Sequence, residues 1–90
     1  MLKKLSEIIE DRKQNQPAGS YTVELLQAGE DKVLKKVGEE AMEVILAAKG
    51  QGKQRLVEET ADLLYHLLVM LASYDLSLTD VEEELRKRHG

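Results

Sequence analysis

Residues 38–50 read GEEAMEVILAAKG and residues 59–74 read ETADLLYHLLVMLASY, and these are the two most apolar segments of the chain. Both segments nevertheless carry a pair of carboxylates, which are Glu40 with Glu43 and Glu59 with Asp62. Burying a carboxylate without a partner costs a large amount of free energy. These acids therefore need a compensating interaction. Which partner supplies that interaction depends on the fold that the two segments adopt.

Length and composition limit the class of protein. The chain has 90 residues, of which 42% are hydrophobic, with no Phe, Trp or Cys. This length predicts one domain, residues 1–90, with a small core, and therefore favours oligomerisation. The lack of Cys excludes disulfides and thiolate metal sites, and it is compatible with the cytoplasm, where we expect the protein to reside.

Charge and hydropathy argue against two kinds of partner. The net charge of −4 disfavours general binding to nucleic acid or to anionic membranes. The longest apolar run, residues 63–72, is interrupted by His66 and is too short to span a bilayer. We therefore expect neither a nucleic-acid partner nor a membrane partner.

The hydrophobic pattern predicts an all-α fold of four to five helices, because apolar residues recur at helical spacing and nowhere alternate as in a strand. The first helix should end before Pro17. A short second helix should open at Ser20 or Thr22 and close at Gly29. Residues 14–22 then form the longest loop.

Two long helices follow, covering residues 30–49 and 53–74, with a turn at Gly50-Gln51-Gly52 between them. The last helix should start at Thr79, where Glu82, three residues later, completes a capping box. Helices joined by so short a turn lie antiparallel as a hairpin.

The hairpin predicts that the carboxylates meet. With Gln51 at the centre of the turn, Glu43 and Glu59 each lie eight residues away, about 12 Å along the helix axis. Glu40 and Asp62 each lie eleven residues away. Within each helix the pair is spaced i, i+3, which projects both acids from one side. All four can therefore face one another across the hairpin.

Converging carboxylates repel one another and raise their own pKa values unless a cation lies between them. Oxygen-only ligands without Cys suit a hard ion such as Mg²⁺ or Mn²⁺. The alternative is a solvated acidic stripe, since Glu is common on exposed helix faces. The occurrence of two such pairs at matching levels of one hairpin favours the metal interpretation.

The acids also form a known pattern, EExxE at residues 39–43 and ExxD at residues 59–62. It resembles the signature of the all-α nucleoside triphosphate pyrophosphohydrolase superfamily, which includes MazG-like and dimeric dUTPase proteins. Within it, the chain most closely resembles the phosphoribosyl-ATP pyrophosphatases, through GSYT at 19–22, KKVGEEA at 35–41 and DLLYHLLV at 62–69. The likeness covers nearly the whole chain and is that of the stand-alone form, without an appended cyclohydrolase domain.

The resemblance implies Mg²⁺-dependent hydrolysis of phosphoribosyl-ATP to phosphoribosyl-AMP and pyrophosphate, the second step of histidine biosynthesis. A divalent ion would be held by four ligands, Glu40, Glu43, Glu59 and Asp62. It would neutralise triphosphate oxygens and orient or acidify the attacking water. Glu39 points about 100° away from Glu40 around the helix, so it binds a second ion, positions the water or is merely exposed. The candidate catalytic residues are Glu39, Glu40 and Glu43.

The phosphates of such a substrate need cationic and hydroxyl partners. Lys36 precedes Glu40 by one turn on the same side of the helix and is the first candidate. Others are Arg12 and Lys13 beside the loop, and Lys32. The loop hydroxyls of Ser20, Tyr21 and Thr22 are candidates for contacts to phosphate or ribose. Ser20 or Thr22 can instead cap the second helix, and Lys32 and Lys35 can simply be solvated. Arg86 and Arg88 either reach a 5′-phosphate or aid solubility.

Two features of the fourth helix bear on packing. His66 follows Asp62 by one turn and either bonds its carboxylate or substrate, or is a satisfied interface residue, which we favour. The helix is apolar nearly all round over residues 63–72 and needs partners on more than one side. We therefore expect a homodimer in which the third and fourth helices of both chains form a bundle, as the superfamily likeness also implies.

Two other functions remain open from the sequence. One is a pyrophosphohydrolase that acts on other nucleoside triphosphates and shares the metal site. The other is a non-catalytic helical interaction module in which the acids are a solvated stripe.

Overall fold

A computed structural model describes every residue of the chain, Met1–Gly90. It contains five α-helices and no strand, so the prediction of an all-α fold is confirmed. The helices are α1 (Leu2–Asn15), α2 (Tyr21–Ala28), α3 (Glu30–Gly50), α4 (Lys53–Ser73) and α5 (Leu78–His89). None of them alone has the length and hydropathy of a membrane span; α4 and α5 meet those criteria only as a pair, bent by 104°.

The boundaries of α2 follow from local backbone chemistry. Ser20 is the residue that caps the helix, because its Oγ accepts a hydrogen bond from the Val23 N–H at 3.3 Å. Thr22, the other candidate cap, lies inside α2 and is buried. Gly29, at φ 103°, separates α2 from α3 in a conformation that a side chain would strain. The loop before α2 covers residues 16–20, shorter than the predicted 14–22.

The start of α5 differs from the prediction. The capping box is formed by Ser77 and Asp80, and the box predicted at Thr79 and Glu82 is wrong. The Ser77 N–H donates to the Asp80 carboxylate at 2.9 Å. Both pairs have the right spacing. Asp75, at φ 59°, turns the chain sharply after α4, and α5 begins at Leu78, so Ser77 is the residue at the N-cap position.

The hydrophobic core lies toward the C-terminal half of α4. Six buried residues form it, contributed by α1, α2, the start of α3 and α4: Ile9, Leu25, Val33, Leu68, Val69 and Ala72. The α3–α4 pair makes the most extensive contact between helices, and its turn at Gln51-Gly52 lies far along the chain from this core. The hairpin therefore has a packed end and a projecting end.

The projecting end, which we call the hairpin arm (residues 42–58), carries exposed apolar side chains. They are Met42, Ile45, Leu46 and Val57, each 46–64% exposed. The accessible surface of the chain is 6352 Å², against about 5300 Å² for a monomer of this mass. The radius of gyration is 14.1 Å, against about 12 Å for a typical domain of this length. The single chain is thus more open than a self-sufficient domain.

Polar contacts fasten the opposite end of the hairpin. The Lys13 ammonium donates to the Ala72 carbonyl at 2.8 Å and pairs with Asp75, which ties α1 to the end of α4. The hydrogen bond from Lys13 lowers the pKa of the Asp75 carboxyl. The Tyr74 hydroxyl donates to the Glu30 carboxylate at 2.6 Å and ties α4 to the start of α3. Lys13 therefore has a structural role.

Two adjacent isoleucines of α1 test the position of the core. Ile9 is 1% exposed and Ile8 is 39% exposed. We expect Ile9→Ala to lower the free energy of unfolding by about 2–5 kcal/mol, because it leaves a cavity. The matched change Ile8→Ala should cost less than about 1 kcal/mol. Urea unfolding at one fixed protein concentration measures both, and equal losses would contradict the assignment of the core.

Candidate metal centre

Three of the four predicted carboxylates meet across the hairpin. Glu40 of α3 lies opposite Glu59 and Asp62 of α4, and one oxygen from each is within 4.8 Å of the other two. Glu43 is outside this group, and its side chain is exposed, as is that of Glu39. We call Glu40, Glu59 and Asp62 the carboxylate cluster.

The cluster is buried on one side and open on the other. Glu59 is 6% exposed, and the Glu40 side chain is 12% exposed. Asp62 is exposed to solvent. A ligand can therefore reach the cluster from the Asp62 side, while the carboxylate of Glu59 depends on partners inside the protein.

Two cations accompany the cluster. The Lys36 ammonium lies 3.3 Å from a Glu40 oxygen, on the side of α3 that the sequence predicted. The Arg55 guanidinium pairs with Glu59 and also with Glu58, at 2.6 Å. Sequence reasoning missed Arg55, although its i, i+4 spacing from Glu59 is the usual signal of such a pair. The carboxylates still outnumber these cations, so the site keeps an excess of negative charge.

Lys36 is held in its charged form. Partial burial lowers the pKa of Lys36, whereas the hydrogen bond with Glu40 and the negative charges of Glu40 and Glu39 raise it. The pKa of Lys36 therefore lies above its ordinary value. A charged ammonium beside Glu40 is available to contact an anionic ligand at the cluster.

The three hydroxyls of the SYT segment all have partners within the protein. The Ser20 Oγ accepts from the Val23 N–H, and Thr22 is buried with its Oγ1 hydrogen-bonded to the Tyr65 hydroxyl. The Tyr21 hydroxyl lies 3.1 Å from His66 Nε2. The Thr22 hydroxyl is thus engaged in a hydrogen bond within the protein, whereas Tyr21 remains 47% exposed.

His66 is a satisfied buried residue. It is 6% exposed, and its Nδ1 lies 2.7 Å from the main-chain oxygen of Asp62. It contacts the backbone of Asp62 and not the carboxylate. Together with the bond to Tyr21, both ring nitrogens have partners.

The remaining candidate substrate residues form no bond with the carboxylate cluster. Arg12 pairs with its neighbour Asp11 at 3.0 Å, next to the loop before α2. Lys32 is exposed on α3. Arg86 and Arg88 pair within α5, with Glu83 at 3.2 Å and Glu84 at 2.8 Å. Substrate contacts by Arg12, Lys13 and Lys32 stay predictions.

Comparison with known proteins assigns the chain to a family. Residues 2–89 match the profile of the phosphoribosyl-ATP pyrophosphohydrolase family. The chain belongs to this family. A phosphoribosyl-ATP pyrophosphatase of Geobacter sulfurreducens is 53% identical over 90 residues, which is all of this chain and 83% of that protein. One from Pelotomaculum thermopropionicum is 56% identical over 88 residues, 98% of this chain and 90% of that protein.

The same domain also occurs within a longer protein. The histidine biosynthesis bifunctional protein HisIE of Bacillus subtilis is 51% identical over 90 residues, which are 43% of its length. The resemblance found in the sequence, and the expectation of a hydrolase, are confirmed by membership of the phosphoribosyl-ATP pyrophosphohydrolase family.

The donor chemistry of the carboxylate cluster fits a hard divalent cation. Its ligand atoms are oxygens alone, the set that Mg²⁺ and Mn²⁺ prefer. The uncompensated negative charge would be relieved by such an ion. The Arg55 guanidinium already pairs with Glu59 and would compete with an ion for that carboxylate.

In this member of the phosphoribosyl-ATP pyrophosphohydrolase family, a variant of Arg55 tests whether its guanidinium competes with a metal ion for Glu59. Arg55→Gln leaves the buried Glu59 without its cation, so the metal-free protein should unfold at a lower temperature. Its stabilisation by Mg²⁺ should be larger than that of the wild type, because no guanidinium competes. Arg86→Gln, which removes an exposed pair on α5, is the matched control and should change neither quantity. Thermal unfolding with and without Mg²⁺ measures both, and identical behaviour of the two variants would contradict the pairing.

Proposed function

We propose that the chain hydrolyses phosphoribosyl-ATP to phosphoribosyl-AMP and pyrophosphate with a divalent cation, Mg²⁺ or Mn²⁺, bound at the carboxylate cluster. Membership of the family over residues 2–89 is the single observation that carries the reaction. The convergence of Glu40, Glu59 and Asp62 supports the metal site. The reaction is the second step of histidine biosynthesis.

Glu40, Glu59 and Asp62 would hold the cation. When bound, it supplies charge neutralisation for the triphosphate oxygens and a more acidic, oriented water. Lys36 would donate a hydrogen bond to a phosphate oxygen, since its ammonium already faces Glu40 at the cluster. The pairing of Arg55 with Glu59 would balance the charge of that buried carboxylate until a cation arrives.

Glu43 and Glu39 complete the catalytic set that we propose. Glu43 follows Glu40 by three residues on the same side of α3, which suits a fourth ligand. Its carboxylate is exposed and makes no ion pair in the structure. Glu39 is exposed next to Glu40 and would bind a second ion or position the attacking water.

Substrate contacts are assigned by which polar groups remain accessible. Lys36, Arg12, Ser20, Tyr21 and Lys32 are our candidates. Arg12 and Ser20 line a shallow groove beside the loop before α2. Lys13 and Thr22 are engaged by the fold, so the structure lends their predicted substrate role no support.

A homodimer is part of the proposal. The exposed apolar residues of the hairpin arm and the large surface of the single chain both favour burial against a second copy. The four long helices of two chains would then form the bundle expected from the sequence. A cytoplasmic location, without nucleic-acid or membrane partners, stays a prediction.

The catalytic proposal predicts a specific loss in Glu40→Gln. Activity should fall by at least about two orders of magnitude, because a ligand to the ion is lost while size and helix propensity are kept. Pyrophosphate release from phosphoribosyl-ATP measures it, and EDTA should abolish wild-type activity until Mg²⁺ is added. The stabilisation of the folded protein by Mg²⁺ should shrink in the same variant.

Glu7→Gln is the matched control, because Glu7 is an exposed acid of α1 away from the cluster. It should retain wild-type activity and Mg²⁺ stabilisation. Full activity of Glu40→Gln would mean that the ion binds elsewhere. A panel of other nucleoside triphosphates tests the substrate, and faster turnover of any of them than of phosphoribosyl-ATP would contradict the assignment.

Assembly yields a separate prediction. Light scattering should report two copies of the 10.2 kDa chain at micromolar concentration. Ile45→Asp, in the hairpin arm, should shift the protein toward the monomer, because it places a charge in the apolar interface. Ile8→Asp, on α1, is the control that should leave the dimer intact. A folded wild-type monomer would refute the proposed assembly.

A further inference from the structure

Three aromatic rings lie between the start of α2 and the middle of α4. The Tyr21 ring stacks on Tyr65 with centroids 6.2 Å apart and meets the His66 ring edge-on at 5.9 Å. Tyr65 and His66 also meet edge-on, at 5.0 Å. The group adjoins the carboxylate cluster, since His66 contacts the main chain of Asp62. Packing of this kind restricts where the Tyr21 hydroxyl can lie.

The bonds of His66 decide which nitrogen carries its proton. The main-chain oxygen of Asp62 can only accept, so Nδ1, at 2.7 Å, must donate. In a neutral imidazole Nε2 then accepts, and its partner at 3.1 Å is the Tyr21 hydroxyl. A neutral ring satisfies both bonds, and no carboxylate pairs with it.

The same reasoning orients the proton of Tyr21. Because the Tyr21 hydroxyl donates to His66 Nε2, its oxygen offers only lone pairs to other groups. Tyr21 is 47% exposed, so a ligand can reach the residue from solvent. Its partner His66 contacts the main chain of Asp62, so the Tyr21 hydroxyl lies beside the residues of the carboxylate cluster.

A second bond holds this arrangement in place. Thr22, the next residue along α2, is hydrogen-bonded through its side chain to the Tyr65 hydroxyl. Two successive side chains of α2 are therefore tied to two successive side chains of α4. The Tyr21 hydroxyl has little freedom to turn its proton toward a ligand.

We propose that His66 is a positioning residue that makes Tyr21 a hydrogen-bond acceptor at the mouth of the carboxylate cluster, where Tyr21 binds a ribose hydroxyl of the substrate. A lone pair repels phosphate oxygens and attracts O–H donors, so the contact is with ribose and not with phosphate. This inference rests on the proposed function, because it assumes a ribosylated nucleotide as substrate. It gives the buried His66 a role in substrate binding without contact to the ligand.

A double-mutant cycle tests the unit formed by His66 and Tyr21. Tyr21→Phe should raise KM for phosphoribosyl-ATP about tenfold, the effect of one hydrogen bond, with kcat within about threefold of the wild type. His66→Phe should act similarly, and the double variant should be no worse than either single one, because both remove one unit. His66→Gln, whose side-chain oxygen can accept from Tyr21, should recover part of the loss.

Tyr74→Phe is the matched control. It removes the hydroxyl of Tyr74, which bonds the side chain of Glu30 far from the cluster. This change should leave KM unchanged. Additive effects in the double variant would overturn the proposal. Variants that unfold at lower temperature but keep the wild-type KM would also overturn it, because the pair would then be structural only.

The tautomer can be measured without substrate. The ¹⁵N shifts of the two ring nitrogens of His66, at pH 8 in the unliganded protein, should show the proton on Nδ1. His89, the other histidine, lies on exposed α5 and serves as the reference. A proton on Nε2 would overturn the inference even if the enzyme is active. Absence of phosphoribosyl-ATP hydrolysis by the wild type would overturn the proposed function and the ribose contact, whatever the tautomer.

Discussion

Mutual repulsion among Glu40, Glu59 and Asp62 is the constraint on which the rest of the structure depends. The antiparallel hairpin brings these carboxylates within 4.8 Å of one another, and Glu59 is almost removed from water. Such an arrangement persists only with cations close by. Lys36 and Arg55 supply part of that charge from the same two helices. The remaining excess of negative charge is what makes the cluster suited to a divalent ion.

The fold separates stability from chemistry along α4. The buried core gathers around its C-terminal half, where Val69 is fully enclosed, and the Lys13 and Tyr74 bonds fasten that end to α1 and α3. The carboxylate cluster occupies the N-terminal half, beside an arm whose apolar side chains are uncovered. A 90-residue chain has too little core to enclose both halves. The proposed second copy would pack against the arm and cover the open half.

The short helix α2 connects the two halves. Its first residues carry hydroxyls that, viewed alone, could serve a substrate equally well. In the structure Ser20 caps the helix and Thr22 is buried and bonds Tyr65, whereas Tyr21 remains 47% exposed. The fold therefore selects among chemically similar groups. Because one fold can serve many reactions, the substrate class rests on family membership and not on the helical architecture.

The sequence by itself determined the helices, the hairpin and the height of each acid along it. Helical period and turn residues are local properties, and counting from Gln51 put Glu40 level with Asp62, which the structure brings together. The Arg55–Glu59 pair was also readable from i, i+4 spacing, although it was overlooked.

Only the tertiary structure decided how each helix is rotated about its axis and which acceptor each hydrogen-bond donor contacts. Residue spacing sets the level of a side chain along a helix, but packing sets how far the helix turns toward its neighbour. Glu43 therefore lies outside the cluster that Glu40 joins. Spacing also cannot tell which of several nearby acceptors a donor will choose. Lys13 bonds Ala72 and Asp75, distant in sequence, because the end of α4 delivers them to α1. Such choices depend on which groups three-dimensional packing brings within about 3 Å.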